Sequence, residues 1–338
     1  MDPLTQGALG AALAQAAPTK TKNIGIAGGL GFLSGMAADL DILIRSSTDP
    51  LLILEYHRHF THSLVFIPAG ALLVALAIHY LMKRRWQLRF FQTFVFCTLG
   101  YATHALLDAS TSYGTRLFWP FSDERIAWGF VPIIDPLFTG PLIALCVVSI
   151  LRQSPRFAWA GILWVGIYLS LGALQHSAAL AMGNQIAASR GHSPIRFEVK
   201  PSFANILVWK IIYETAQDFY VDAARIGIGP RKFYGTSIPK LDLDRDFPWL
   251  DANTQQARDI QRFRFFSKGF VAVDPERPNR IMDIRYSLVP TEIKSLWSIE
   301  VSPYAEPAAH VIYRTHRDDV GESADKLWQM LLEIDVSH

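Results

Sequence analysis

Apolar positions run in long blocks through the first half of the chain and give way to two-residue alternation in the second. Residues 24–44, 63–82, 90–107, 131–151 and 157–182 each approach the roughly 20 apolar residues that carry a helix across the hydrocarbon core of a bilayer. Residues 4–17 form a shorter block, read as a tilted span or a partly inserted helix. That block has the look of a secretory signal, but Asp2 is the one charge before Lys20 and the basic leader is missing, so a retained helix is expected. Beyond Pro194 the alternation predicts strands over 195–199, 263–273, 281–288, 296–301 and 310–314. Helices are expected over 251–262 and 323–334, the second with Leu327, Leu331 and Ile334 on one face. The predicted fold class is an α-helical integral membrane bundle of five or six transmembrane helices, residues 1–182, followed by a small β-rich α+β domain outside the membrane, residues 195–338.

Composition supports this division. Half of the 338 residues are hydrophobic and 18% are charged, against about 25% charged in a soluble protein. A formal net charge of +2, without a basic stripe carrying interleaved aromatics, excludes a nucleic-acid partner. The placement of charge says more than its sum. Lys20 and Lys22, then Lys83, Arg84, Arg85 and Arg89, then Arg152 and Arg156 all fall on one side if the five long blocks are spans. By the positive-inside rule that side is cytoplasmic. Residues 45–62, 108–130 and the β-rich domain then lie on the opposite, extracytoplasmic side. Cys97 and Cys146 sit in apolar runs without Cys or His neighbours at ligand spacing, and read as small buried hydrophobes.

Ionisable residues within apolar segments are costly and mark functional sites. Asp39 and Asp41 close the first long block. His57, His59 and His62 precede the second in His-Arg-His-Phe-Thr-His-Ser. His104 and Asp108, four apart on one helix face, close the third, and Asp135 opens the fourth. The expected topology brings all of these to one membrane boundary. Unpaired, the carboxylates would repel one another and lose hydration; a divalent metal, or two, removes both penalties. Imidazole with carboxylate and no thiolate suits zinc first, with manganese or iron(II) next. A metal that lowers the pKa of bound water points to hydrolysis of an ester or phosphodiester, with Asp135 or one of Asp39 and Asp41 as general base. Arg58 and Arg116 offer bidentate groups for orienting a phosphate or carboxylate, although contact with lipid headgroups accounts for them equally well. Thr61 is expected to cap a helix, with Ser63 in its first turn. Tyr113, Phe118, Trp119 and Trp128 read as an interfacial aromatic belt or the lining of a lipid-shaped entrance.

Several of these motifs together resemble one family. Met1-Asp2-Pro3-Leu4-Thr5, Asp39-Leu40-Asp41, His57-Arg58-x-x-Thr61-His62-Ser63, His104-x-x-x-Asp108, Thr111-Ser112-Tyr113-Gly114-Thr115, Trp119-Pro120-Phe121-Ser122 and Ile134-Asp135-Pro136 are similar, in this order, to the bacterial membrane-bound metal-dependent hydrolases of the YdjM type. The resemblance covers about residues 1–180. It implies an inner-membrane hydrolase, distantly similar to zinc-dependent phospholipases C, acting on a membrane lipid or lipid-linked substrate, with Asp39, Asp41, His57, His62, His104 and Asp108 as metal ligands. Gln6 stands where relatives usually carry a histidine, which removes a candidate ligand or replaces it with an amide oxygen. Two other classes fit the same residues: an ion-binding transporter, and a non-catalytic envelope stress-response protein whose β-rich domain binds a partner. Transporter sites favour the bilayer midplane, whereas these groups gather at one boundary.

Overall fold

The computed structural model describes residues 1–17, 24–86, 88–227, 229–316 and 320–332. Lys20, Lys22 and Ile334, and the side chains of Lys83, Arg84 and Arg85, lie outside the described residues. The chain forms two compact units. The first comprises residues 1–43, 56–174 and 203–205; the second comprises 44–55, 175–202 and 206–338.

Helix α1 (Pro3–Ala16) starts where Asp2 accepts a hydrogen bond from the Thr5 amide at 3.0 Å and Pro3 presets the first turn. Helix α2 (Ile24–Met36) tightens into a 3₁₀ segment, Ala37–Leu43, that carries both aspartates. A short α3 (Leu52–Tyr56) follows, then two 3₁₀ turns, Phe60–His62 and Leu64–Phe66, leading into α4 (Ile67–Trp86). Helices α5 (Phe90–Ala109), α6 (Pro136–Leu151) and α7 (Pro155–Ser189) complete the membrane half. Four segments, Ile24–Leu43, Leu64–Met82, Phe90–Ala109 and Pro155–Ser189, are long and apolar enough to span a bilayer. The helix within the block at 131–151 is shorter than those four. Asp135 caps α6 and Pro136 opens it, so residues 131–135 stay outside the helix. Its 16 residues extend about 24 Å, short of a core of about 30 Å.

Lipid gives helices no hydrophobic reason to associate, so close backbone approach through small residues takes its place. At Gly10, Gly31 and Gly100 the backbones of α1, α2 and α5 meet: a Cβ on Gly31 would strike the Gly10 carbonyl oxygen, and one on Gly10 or Gly100 the Gly31 carbonyl oxygen. One turn nearer the boundary, a Cβ on Gly35 would lie 2.7 Å from the Gln6 carbonyl oxygen. Ser34 Oγ also donates to the Cys97 carbonyl at 2.7 Å, joining α2 to α5.

The second unit carries two four-stranded antiparallel sheets. The first runs β1 (Arg196–Pro201), β2 (Val208–Glu214), β3 (Asp218–Arg225) and β4 (Arg231–Pro239) in chain order. After α8 (Leu243–Asp246) and α9 (Gln255–Phe266), the second runs β5 (Val271–Asp274), β6 (Arg277–Asp283), β7 (Trp297–Glu300) and β8 (Ile312–Thr315), and α10 (Val320–Leu332) follows. The strand expected at 263–273 is instead the end of α9, a turn through Gly269 at φ +76°, and β5. The strand at 281–288 ends at Asp283. Strands β2 to β4 had no counterpart in the sequence reading: β2 is buried throughout and lacks alternation, while β4 is largely exposed.

Residues 44–55 belong to this second unit. Leu51 and Leu54 enter its core beside Ile260, Phe263, Ile281 and Ile299. Arg262 fastens the same segment, reaching Asp49 at 2.8 Å and Glu55 at 2.7 Å. Deeper in the unit, Lys200 and Lys210 face each other across β1 and β2 and are both buried. Burial pushes the Lys210 ammonium down to about 7, and burial beside Lys210 and Arg285 pushes Lys200 well below the usual lysine range.

Two predictions follow from this packing. Gly31→Val forces the three backbones apart and lowers stability by at least about 2 kcal/mol. Gly29→Ala, whose Cβ meets nothing within 4 Å, is neutral or raises it by about 0.5–1 kcal/mol; thermal unfolding in detergent compares them. In the second unit, between about 7 and the ordinary lysine value, the unfolded chain holds a proton on Lys210 that the folded one has released, and the lowered Lys200 acts in the same sense. Its stability therefore rises with pH from about 7 towards the unfolded lysine value, by at most about 1.4 kcal/mol per pH unit per group. A Lys210→Met variant flattens that slope in pH-dependent melting.

Candidate metal centre

Four side chains converge at the boundary end of α2 and α5: Asp39, His62, His104 and Asp108. The two Nε2 atoms of His62 and His104 stand 2.9 Å apart. Asp39 Oδ1 is 3.4 Å from each of them. Asp108 Oδ2 is 3.3 Å from His62 Nε2 and 3.6 Å from His104 Nε2. Donors about 2.0–2.1 Å from a tetrahedral zinc stand about 3.3–3.4 Å from one another. The five separations scatter about that value.

Both imidazoles are already oriented for such a role. His104 Nδ1 lies 2.5 Å from the Gly35 carbonyl oxygen, and His62 Nδ1 lies 3.2 Å from Asp41 Oδ2 and 2.9 Å from Thr61 Oγ1. Ligand histidines characteristically engage the second ring nitrogen in this way, leaving the first for metal. His62, His104 and Asp108 are buried, and Asp108 Oδ2 makes no hydrogen bond among the described residues. Arg58 Nε lies 3.0 Å from that oxygen but without hydrogen-bond geometry. Burial alone would push the His62 imidazolium down, yet Asp108, Asp39 and Asp41 outweigh it and hold it up at about 10. Without a metal, then, the cluster keeps a proton among its carboxylates. These residues fit a divalent cation.

A second group, Asp39, Asp41 and His57, shares Asp39 with the first. His57 Nδ1 is 2.8 Å from Asp41 Oδ1. The other oxygen of Asp41 accepts from the Arg58 backbone amide and from Thr61 Oγ1, each at 2.9 Å. Thr61 is therefore a partner of Asp41 inside a 3₁₀ turn, not a helix cap. Ser63 is the cap, accepting from the Phe66 amide at 3.3 Å.

All six residues expected to bind metal thus fall in these two groups. The three residues expected to act on substrate are placed differently. Arg58 is buried beside Asp108, donates to Thr111 Oγ1 at 2.9 Å and lies over the Tyr113 ring. Arg116 pairs with Asp123 at 2.9 Å and with His59 Nε2 at 2.6 Å. Asp135 caps α6 and accepts from Tyr168 Oη at 2.7 Å. Neither Arg116 nor Asp135 enters a donor group. Gln6, where the resemblance leads us to expect a histidine, is buried and donates to Asp108 Oδ1 at 2.9 Å, while its Oε1 has no hydrogen bond among the described residues. The amino group of Met1 lies against the same Asp108 oxygen. The Gly35 carbonyl and the Thr61 hydroxyl escaped the sequence reading. A backbone group leaves no sequence signal, whereas Thr61 sat in plain view inside the histidine motif.

A helical bundle that closes through glycine and holds a buried His/Asp cluster at its boundary defines an integral membrane protein with a site of metal-binding type. The family model described as YdjM inner membrane protein matches residues 1–179. The chain belongs to that family. It is also similar to Inner membrane protein YbcI of Escherichia coli (strain K12), 32% identical over 117 residues, which cover 32% of this chain and 65% of the relative. No solved structure matches.

Replacing His104 by Ala removes one corner of the four-donor group. Zinc affinity, measured by chelator competition on detergent-purified protein, is expected to fall by more than about 100-fold, beyond the range typical of outer partners. Tyr168→Phe, which alters only a contact of Asp135, leaves it unchanged.

Proposed function

We propose that the chain is a membrane-embedded, metal-dependent hydrolase of an ester or phosphodiester in a lipid or lipid-linked molecule, acting at the extracytoplasmic boundary of the inner membrane. The observation that carries this reading is the set of four donors at tetrahedral separations, with both imidazoles oriented through their far nitrogens. Zinc is the expected metal, with manganese or iron(II) as the alternatives. A divalent ion bound there supplies Lewis acidity and lowers the pKa of water towards neutrality.

The surrounding residues give the substrate reading its support. Asp39 and His57 are the accessible donors, with side chains 19% and 24% exposed. Leu40, Ile42 and Leu43 beside Asp39, and Leu64 and Val65 beyond His62, are exposed apolar side chains suited to acyl chains. The Tyr113 ring lies 5.9 Å from the His57 ring and carries Arg58 and Arg125 at 5.1 and 5.0 Å. That aromatic-cation wall favours a substrate with negative charge near the scissile bond. The basic loop at 83–89, one crossing away from the histidine motif, is expected on the cytoplasmic side.

The test is turnover of fluorescent glycerophospholipids and of an activated phosphodiester by full-length protein in nanodiscs, stripped by chelator and reloaded with zinc. Reloading is expected to restore hydrolysis, and His104→Ala with Asp108→Ala to lower kcat/KM by at least about 100-fold. Stoichiometric metal and full activity in that double variant, or no turnover by the loaded wild type, would overturn the reading. A periplasm-dependent reporter fused to the C-terminus should be active.

A further inference from the structure

The shared aspartate carries the reading one step further. Asp39, His62, His104 and Asp108 supply four protein donors, and three of them are fully enclosed. Four protein donors close a tetrahedral zinc site, whereas catalytic sites keep a position open for water or substrate. A hydrolytic reaction confined to that group would need Asp39, its one accessible member, to give up its place to water. Asp39, Asp41 and His57 supply three donors, and Asp39 and His57 are the two accessible members of the whole cluster.

We infer that the protein holds two non-equivalent divalent cations bridged by the Asp39 carboxylate: an enclosed one on His62, His104 and Asp108, and an open one on Asp41 and His57 that receives the substrate. This rests on the metal-dependent reading above and names the part of the centre where substrate enters. Asp39 Oδ1 sits equidistant from the two enclosed imidazoles, and Asp39 is also a member of the second donor group. Asp41 occupies a matching intermediate place, with His62 Nδ1 at 3.2 Å on one oxygen and His57 Nδ1 at 2.8 Å on the other. It orients a histidine of the first position while serving the second. Asp108 Oδ2 and Gln6 Oε1, both buried, accept no hydrogen bond among the described residues, which adds support for a ligand at the enclosed position.

Charge then narrows the substrate. Asp39, Asp41 and Asp108 bring three negative charges, and Arg58 returns one positive charge. With the Met1 amino group against Asp108 counted as well, one dication brings the cluster to neutral or above and a second leaves it positive by at least two. That excess sits at the accessible edge, next to Tyr113 with its two arginines. An anionic phosphodiester gains more from that excess than a neutral carboxylic ester does.

The experiment uses full-length protein in detergent, stripped by chelator and titrated with Mn²⁺ under EPR, with bound zinc counted by elemental analysis. Wild type is expected to take two equivalents and to show an exchange-coupled manganese pair. His57→Ala, and the milder His57→Gln, alter a part-exposed side chain; each is expected to keep one equivalent and lose the coupling, with an unchanged elution volume and far-UV spectrum. Inorganic phosphate should perturb the wild-type signal and leave that of His57→Ala unmoved. One equivalent in wild type, two uncoupled equivalents, or two coupled equivalents in His57→Ala would each overturn the two-cation centre and leave the single-metal hydrolase standing. No bound metal in wild type would overturn both.

Discussion

The contact on which the membrane half depends is backbone against backbone, where Gly10, Gly31 and Gly100 let three helices meet with no side chain between them. This is packing by omission. In water a core of leucines could hold α1, α2 and α5 together, but in lipid the tails compete for apolar side chains on equal terms. Closeness of the backbones therefore has to supply the attraction. It also sets the scale of the site, because Gln6, Asp39, His104 and Asp108 project from helices whose axes are fixed by those glycines. Donor separations near 3.3 Å require that rigidity. A loosened bundle would leave three carboxylates in a low-dielectric setting without a common partner.

Much of this was legible in the sequence. The apolar blocks mark the long helices because lipid demands uniform hydrophobicity over a known length, and the donor residues stand out because charge is so costly there. The ends of elements were harder. At Pro136 one residue type shortened a helix that hydropathy extended to Val131. In the second unit, β2 alternates poorly because both its faces are covered, even around Lys210. Roles within the site were harder still. Asp135 and Arg116 have the right chemistry and the right boundary, yet Tyr168 and a helix start occupy one, and Asp123 and His59 the other. Spacing brings residues to one membrane level; it does not say which way a side chain turns.

The two units meet different demands with the same kind of group. In the bundle, carboxylates gather round imidazoles, and Asp108 Oδ2 accepts no hydrogen bond among the described residues. In the β-rich unit, charged groups are paired off: Arg262 with Asp49, Glu55 and Asp259, and Arg285 with Asp283 at 2.7 Å. In the second the carboxylates face arginines of the same chain; in the first a cation is the partner that three carboxylates have in common. That contrast separates a site from a scaffold more clearly than residue type does.

Arg58 adopts a left-handed backbone, φ +62°, a region that favours glycine. The conformation aims its amide at Asp41 Oδ2 while its guanidinium reaches Asp108 and Thr111. Glycine would satisfy the turn and abandon the guanidinium; another long cation would keep charge without the flat fork. Position 58 is thus held by two incompatible preferences at once, one from the main chain and one from the side chain. A residue in that situation has almost no neutral replacements, so drift at 58 should be a more sensitive sign of lost function than drift at any exposed histidine nearby.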